Sequence, residues 1–426
     1  MRGAVFIKSA FNALFYVFVF TMCLPSKDLF GLPVRTILFL LMAASIVYLW
    51  FKHQIKFEKI YWLVLFVLFC TGIWFVIGFM NGFRGEAVQQ FTTILFLIST
   101  VMIVYFLVAN RLVNQEMARR TLYIVMFVMI LGKIIVELFV VGHLLSLQSF
   151  RFLYGSLLGA NNITLSVPGL NLFRINSAND SLVLALLSFY LIDKRVGFYS
   201  KLFAALAGTY FVLIVYSRVF FAQYAGLMFI VLAVAFFKSR SKKKILLIAS
   251  SVLIMLAIFQ TFNSGGVGSS TGGHSSVASA FNNRFNSAGT KISDNTRTEQ
   301  SAYLLRDIKK NPIFGMGIGA YDKQLIRSQT NKYSYEKEYY ALLMQLGIVG
   351  FILIIIGTVL VFVKLISIRK VSDRMVQVMI LFNLAIWLIK PLYNPGLMSS
   401  TSASIIASII IVSFCYQGAG KIGEYS

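Results

Sequence analysis

An all-α, polytopic membrane protein is the fold class this sequence predicts, on three observations. Of its 426 residues, 58% are hydrophobic and 13% charged, with a mean hydropathy of +0.80. A soluble chain carries about a quarter charged residues, so this one cannot cover its surface with polar groups and must be solvated by lipid. Second, its apolar runs are continuous and roughly 17–25 residues long, not about 10 and alternating as in a membrane barrel. Third, the charge is concentrated in the gaps between those runs. In lipid the backbone must satisfy its own hydrogen bonds, and runs of this length do so as helices.

About twelve spans follow in order: 4–24, 33–51, 60–80, 88–109, 121–141, 176–192, 201–216, 219–237, 244–262, 338–363, 375–391 and 400–417. The first opens on Arg2 and Lys8 and runs apolar to Leu24. That start resembles a signal peptide, but no small-residue cleavage site follows, so an uncleaved first helix is expected. Three regions result: 1–262 with nine spans and an outer loop at 142–175, a long outer loop at 263–337, and 338–426 with three spans.

The net charge of +24 would suggest a nucleic-acid partner in a soluble protein. Here membrane topology accounts for most of it, and no nucleic-acid partner is expected. Counted over short gaps, Lys and Arg favour the side that holds 52–59, 110–120, 193–201, 238–244 and 364–374. The positive-inside rule then puts both termini in the cytoplasm.

Two outer segments are long. Residues 142–175 hold Pro168, several Gly and Asn, and the apolar pieces LLSLQSF and LYGSLLG. They read as a folded or re-entrant loop. Residues 263–337 begin with the Gly/Ser-rich linker NSGGVGSSTGGHSSVASA. TRTEQSAYLLRDIKKNP then predicts an amphipathic helix, capped by Asp294 or Thr296 and stopped at Asn311-Pro312.

No metal site is expected. His53, His143 and His274 are far apart, and Cys23, Cys70 and Cys415 lie in or beside apolar runs without ligand spacing. The outer arginines carry more: Arg174 before the sixth span, Arg218 in the short turn VYSRVFF, then Arg284, Arg297 and Arg306. Arg218 either snorkels to lipid phosphate or clamps an anionic headgroup, because burying it unpaired is costly. Guanidinium suits a diphosphate, since its planar fork binds phosphate oxygens two at a time.

Among the acids, Lys133 and Glu137 stand at i, i+4 and read as an ion pair on one helix face. Asp180, beside Asn176 and Asn179, either pairs with Arg174 or caps its helix. Glu336 and Glu338 precede the tenth span, where the helix dipole favours them. Either could instead serve as a general base. Asp28, in the first outer loop, is a competing acid.

Residues 297–350 carry a resemblance. Arg297 precedes NPIFGMGIGAYD (311–322), and EKEYYALLMQLGIVG follows at 336–350. This resembles the O-antigen ligase and O-antigen polymerase superfamily. Its pattern is an Arg, an Asn-Pro-apolar-apolar-Gly-x-Gly turn, and a His-Asn-x-Tyr-Leu start to a helix ending Leu-Gly-Ile-x-Gly. Ser217-Arg218 and NSAND (176–180) also fit. Tyr339 matches, but Glu336 stands at the histidine position and Lys337 at the asparagine. That departure favours polymerase over ligase. Arg306 and Gly317 show an Arg-x10-Gly spacing described in polymerase loops, a weak signal in a chain with 30 glycines.

The resemblance implies a polytopic glycosyltransferase of GT-C-like architecture in the bacterial inner membrane, working on the periplasmic face. The donor is a glycan on undecaprenyl diphosphate. The expected partners are that donor, membrane lipid and a chain-length-regulating co-polymerase. It implies metal-independent inversion without a cofactor. Arg218 and Arg297 act on the diphosphate and Glu336 is the base, while Arg174, Arg284, Arg306, Tyr339 and Asp180 line the substrate. The rivals are a ligase, a flippase or transporter for the same lipid, and a structural partner in an export complex. A transporter would show broken helices and midplane ionisable groups, whereas the ionisable groups here gather in a long loop.

Overall fold

A computed structural model of the chain describes residues 2–24, 33–53, 59–142, 144, 146, 148–150, 163–166, 173–177, 179–215, 217–238, 288–366, 371–392 and 395–417. Among these, six helices are long and apolar enough to cross a membrane, and five shorter apolar helices join them. The protein is an all-α polytopic membrane protein. The expected span at 244–262 and the Gly/Ser-rich linker lie outside the described residues.

The elements are α1 (Arg2–Cys23), α2 (Val34–His53), α3 (Lys59–Met80), α4 (Arg84–Ala109), α5 (Gln115–Val141), β1 (Ile163–Ser166), β2 (Phe173–Asn176), α6 (Asp180–Ile192), α7 (Phe198–Val215), α8 (Arg218–Lys238) and α9 (Ala288–Lys310). Then come α10 (Glu338–Gly350), which runs through a π-helical turn at Phe351–Ile356 into α11 (Gly357–Ile366), α12 (Arg374–Ile389) and α13 (Ser400–Cys415). Large apolar side chains such as Trp62, Phe69, Met80 and Phe229 stay exposed, as positions bathed in lipid can.

The chain divides into two compact units. The first comprises Met1–Phe18, Leu38–Arg119 and Asp294–Ser426. At its centre α13 packs along α4, and α13 is buried almost throughout, from Thr401 to Ser413. Small residues (Ser402, Ala403, Ser404, Ala407, Ser408) allow close helix approach. Their hydroxyls need partners in that setting. Ser404 and Ser408 donate back one turn to Ser400 O and Ser404 O, and Ser402 Oγ accepts Trp387 Nε1 at 2.8 Å.

The second unit comprises Val19–Ile37 and Arg120–Ser293. In it α6 packs on α7 and α8. The end of α1 leaves carbonyls without helical partners. Side chains supply them: Asn179 Nδ2 donates to Cys23 O at 2.8 Å and Leu24 O at 2.7 Å, and Arg35 donates to Thr21 O at 3.1 Å.

The outer segment expected to be a folded or re-entrant loop holds β1 and leads into β2, an antiparallel pair with Ile163 opposite Asn176 and Ser166 opposite Phe173. The β-branched Ile163, Thr164 and Ile175 suit a pleated surface. Ile175 packs with Val140, Phe150 and Ile214. One expectation needs correction: α9 starts at Ala288. Asp294 and Thr296 therefore lie inside it and not at its start, because no proline breaks the preceding turns. Its end at Lys310, just before Asn311-Pro312, is as expected, since proline disfavours helix at the residue before it.

Candidate functional site

In the second unit, Lys133 turns to Asp180 and not to Glu137. Its Nζ lies 2.6 Å from Asp180 Oδ1 and donates to Ile175 O at 2.9 Å, over the Phe211 ring. The i, i+4 rule describes an isolated helix. In the folded unit the carboxylate from α6 and the strand-end carbonyl are stronger partners than a neighbour on the same helix. Asp180 also accepts the Ser177 N–H at 2.8 Å and the Ser177 hydroxyl. Asp180 thus fastens the turn that leads from β2 into α6. Neither expected role of Asp180 is the one present: it is the first residue of α6, whose N-cap Asn179 makes no side-chain cap bond, and its ion-pair partner is Lys133. Arg174 instead donates its Nε to Val215 O at 3.3 Å.

In the first unit, the glycine motif has a mechanical role. Gly347 takes φ +62° and breaks α10. The break strands the N–H groups of Ile348 and Val349 and the carbonyls of Met344 and Gln345, which would otherwise pair within the helix. All four are recovered by the motif. Ile348 N donates to Pro312 O at 2.9 Å and Val349 N to Ile313 O at 3.1 Å, while Met316 N donates to Met344 O at 3.0 Å and Gly317 N to Gln345 O at 2.7 Å. Buried backbone groups must be paired, and here the break and the turn complete each other.

Glycine is required because backbones nearly touch. A Cβ on Gly317, at φ +91°, would lie 1.9 Å from Gly78 N. Two glutamines close the arrangement. Gln90 Oε1 accepts Gly319 N at 2.7 Å, its Nε2 donates to Gln345 Oε1 at 2.9 Å, and Gln345 Nε2 donates to Ala320 O at 2.9 Å. Trp74 Nε1 reaches Phe314 O at 2.8 Å.

Above this lies the charged group. Helix α9 buries Gln300, Leu304 and Asp307 on one face, at the three-to-four spacing of an amphipathic helix. Leu304 joins Tyr335, Met344 and Phe83 in a small core. Arg297, one turn before Gln300, is thereby brought to Glu336. Arg297 Nε is 2.7 Å from Glu336 Oε2, and Arg327 Nη1 is 2.8 Å from Oε1. The side chains of Arg297, Glu336 and Arg327 are 20%, 21% and 33% exposed, so water and ligands reach them. Gln300 Oε1 accepts the Glu336 N–H at 3.2 Å.

The remaining residues expected from sequence are placed as follows. Arg306 pairs with Asp322 at 2.6 Å and donates to Gln324 at 2.8 Å. Asp322 N donates to the Tyr335 hydroxyl at 2.9 Å, and burial pushes that phenol up to about 12, so it stays neutral. Tyr339 donates its hydroxyl to Leu388 O at 2.6 Å. Glu338 accepts the N–H groups of Gly396, Leu397 and Met398, at 2.6, 2.8 and 3.3 Å, and so ties the turn before α13 to the first turn of α10. Arg218 begins α8, but its side chain, like Arg284 and Asp28, lies outside the described residues.

Of the expected residues, the structure therefore brings Arg297 together with Glu336 and sets Arg306 on a separate acid. It adds Arg327 and Gln300, which sequence reasoning missed. Arg327 stood among the loop's basic residues with no motif to single it out. The Arg297, Arg327 and Glu336 group offers two guanidiniums for an anion and a carboxylate for a proton, at the foot of a span. Among the described residues, no group of His, Cys, Asp and Glu could hold a metal ion.

The family model described as O-antigen ligase matches residues 202–355. The matched stretch includes Arg218, Arg297, Arg327, Glu336, Tyr339 and the glycine lock, and is consistent with the O-antigen ligase and polymerase superfamily. No curated protein matched the chain.

Proposed function

We propose that this chain is a polymerase of surface polysaccharide in the bacterial inner membrane. On this reading it is an inverting, metal-independent glycosyltransferase that joins repeat units carried on undecaprenyl diphosphate. Both termini face the cytoplasm and the site faces the periplasm. The coarser statement, a membrane protein with an O-antigen ligase-family domain, rests on the family match. What supports the finer one is the carboxylate of Glu336 held 2.7 Å from Arg297, at the position where the family pattern places histidine.

The chemistry divides among few groups. Arg297 and Arg218 bind the donor diphosphate and stabilise the charge it gains on leaving. Glu336 takes the proton from the acceptor hydroxyl. That oxygen attacks the anomeric carbon as the bond from carbon to the diphosphate oxygen breaks. One sugar–oxygen bond forms, one breaks, and undecaprenyl diphosphate departs with the bonding electrons. Arg174, Arg284, Arg306, Tyr339 and Asp180 line or shape the substrate path, and a chain-length regulator is a candidate partner.

A polysaccharide gel from a strain lacking the gene tests this. A polymerase leaves single repeat units at the surface and removes the long ladder. Long lipid-linked chains that never reach their final acceptor would instead identify a ligase, the activity named in the family description. Complementation with Arg218→Ala or Arg297→Ala should restore membrane-inserted protein without the ladder, and a normal ladder from both overturns the arginine roles.

A further inference from the structure

Arg297 and Arg327 hold opposite oxygens of one carboxylate, at 2.7 and 2.8 Å. Two forks converging on two oxygens is also the geometry with which guanidiniums grip a phosphate. The three side chains remain partly exposed, and ion pairs in such settings add little net stability. A diphosphate brings more charge and more oxygens than a carboxylate, so exchange is favourable. Beside the carboxylate stands Gln300, fully buried. Its Oε1 is fixed by the Glu336 N–H, which sets the amide orientation. Its Nε2 has no hydrogen-bond partner among the described residues. This buried donor gives a carboxylate oxygen a second place to go.

We propose that Arg327 is a further ligand for the donor diphosphate, and that Glu336 is an internal competitor which the diphosphate must displace from Arg297 and Arg327. This rests on the polymerase reading and deepens it. Arrival of the donor frees Glu336 next to the diphosphate it has just yielded to. The base becomes available only when the leaving group is in place. Proton abstraction is thereby coupled to donor binding, and acceptor chains alone find Glu336 occupied.

The test is binding of inorganic pyrophosphate and of undecaprenyl diphosphate to the purified full chain in lipid nanodiscs. Arg327→Ala should weaken both by roughly tenfold, the scale of one charged hydrogen-bonding group. Glu336→Gln should tighten both, although it removes turnover. Glu299→Gln, an exposed acid on α9 beside Arg297 and Gln300, controls for general charge and should tighten them far less. Unchanged affinity in Arg327→Ala overturns the proposal. So does a Glu336→Gln effect no greater than that of Glu299→Gln. If the order holds for pyrophosphate and fails for undecaprenyl diphosphate, the site serves a soluble anion and the donor assignment falls. If the order holds for both while the deletion strain keeps its ladder, the anion site stands and the polymerase reading falls. A lost ladder with a failed order means the reverse.

Discussion

Two charged clusters in this protein use the same chemistry to opposite ends. Lys133 and Asp180 meet in the second unit with side chains 7% and 0% exposed. Arg297, Glu336 and Arg327 meet in the first unit with a fifth to a third of each side chain open. The buried pair packs against Ile175 O, Ser177 and the Phe211 ring and so fastens elements together. The open group can trade partners. Exposure, more than residue type, separates a fastener from a candidate binding site here.

The largest expected effect breaks the fastener. Lys133→Met leaves Asp180 buried without its cation and should cost about 3–5 kcal/mol, while replacing both partners by apolar residues should restore most of it. Denaturation in detergent of the single and double variants measures this, and equal loss in both would refute it. Next is the glycine lock. Gly317→Ala forces a Cβ against Gly78 N in a left-handed backbone and should cost about 3 kcal/mol, seen as lost membrane-inserted protein. Arg297→Ala sharpens the contrast. Its stability should change by less than about 1 kcal/mol, yet polymer formation should fall by about 10²–10³-fold. Smallest is Arg306→Ala, which takes a partly exposed cation from the buried Asp322 carboxylate and should cost about 1–2 kcal/mol, the acid still accepting the Gln324 N–H. A large loss of product there would mean that Arg306 touches the substrate and does not only shape its path.

Much of the fold was legible because the spans announce themselves by composition. The expected spans at 60–80 and 400–417 match α3 and α13 closely. The strand pair is not legible because Asn, Pro and Gly dominate 161–171, and the four-residue strands are too short for alternation to stand out. The pairing of Lys133 escaped for a different reason. Local spacing offered Glu137 four residues away, whereas Asp180 lies 47 residues on and is brought near only by packing. In the candidate site, motif order marked Arg297 and Glu336 as relevant. It could not show that they touch, and it gave no reason to select Arg327 or Gln300.

The break at Gly347 has a consequence for engineering. Its freed N–H and carbonyl groups are returned to pairing by residues 312–317, and residues 314–319 also rest on Gly78, Trp74 and Gln90. The outer segment is therefore not a detachable cassette. A chimera that imports a relative's segment 288–337 must import matching residues from α3, α4 and α10, or it exchanges a specificity problem for a folding one.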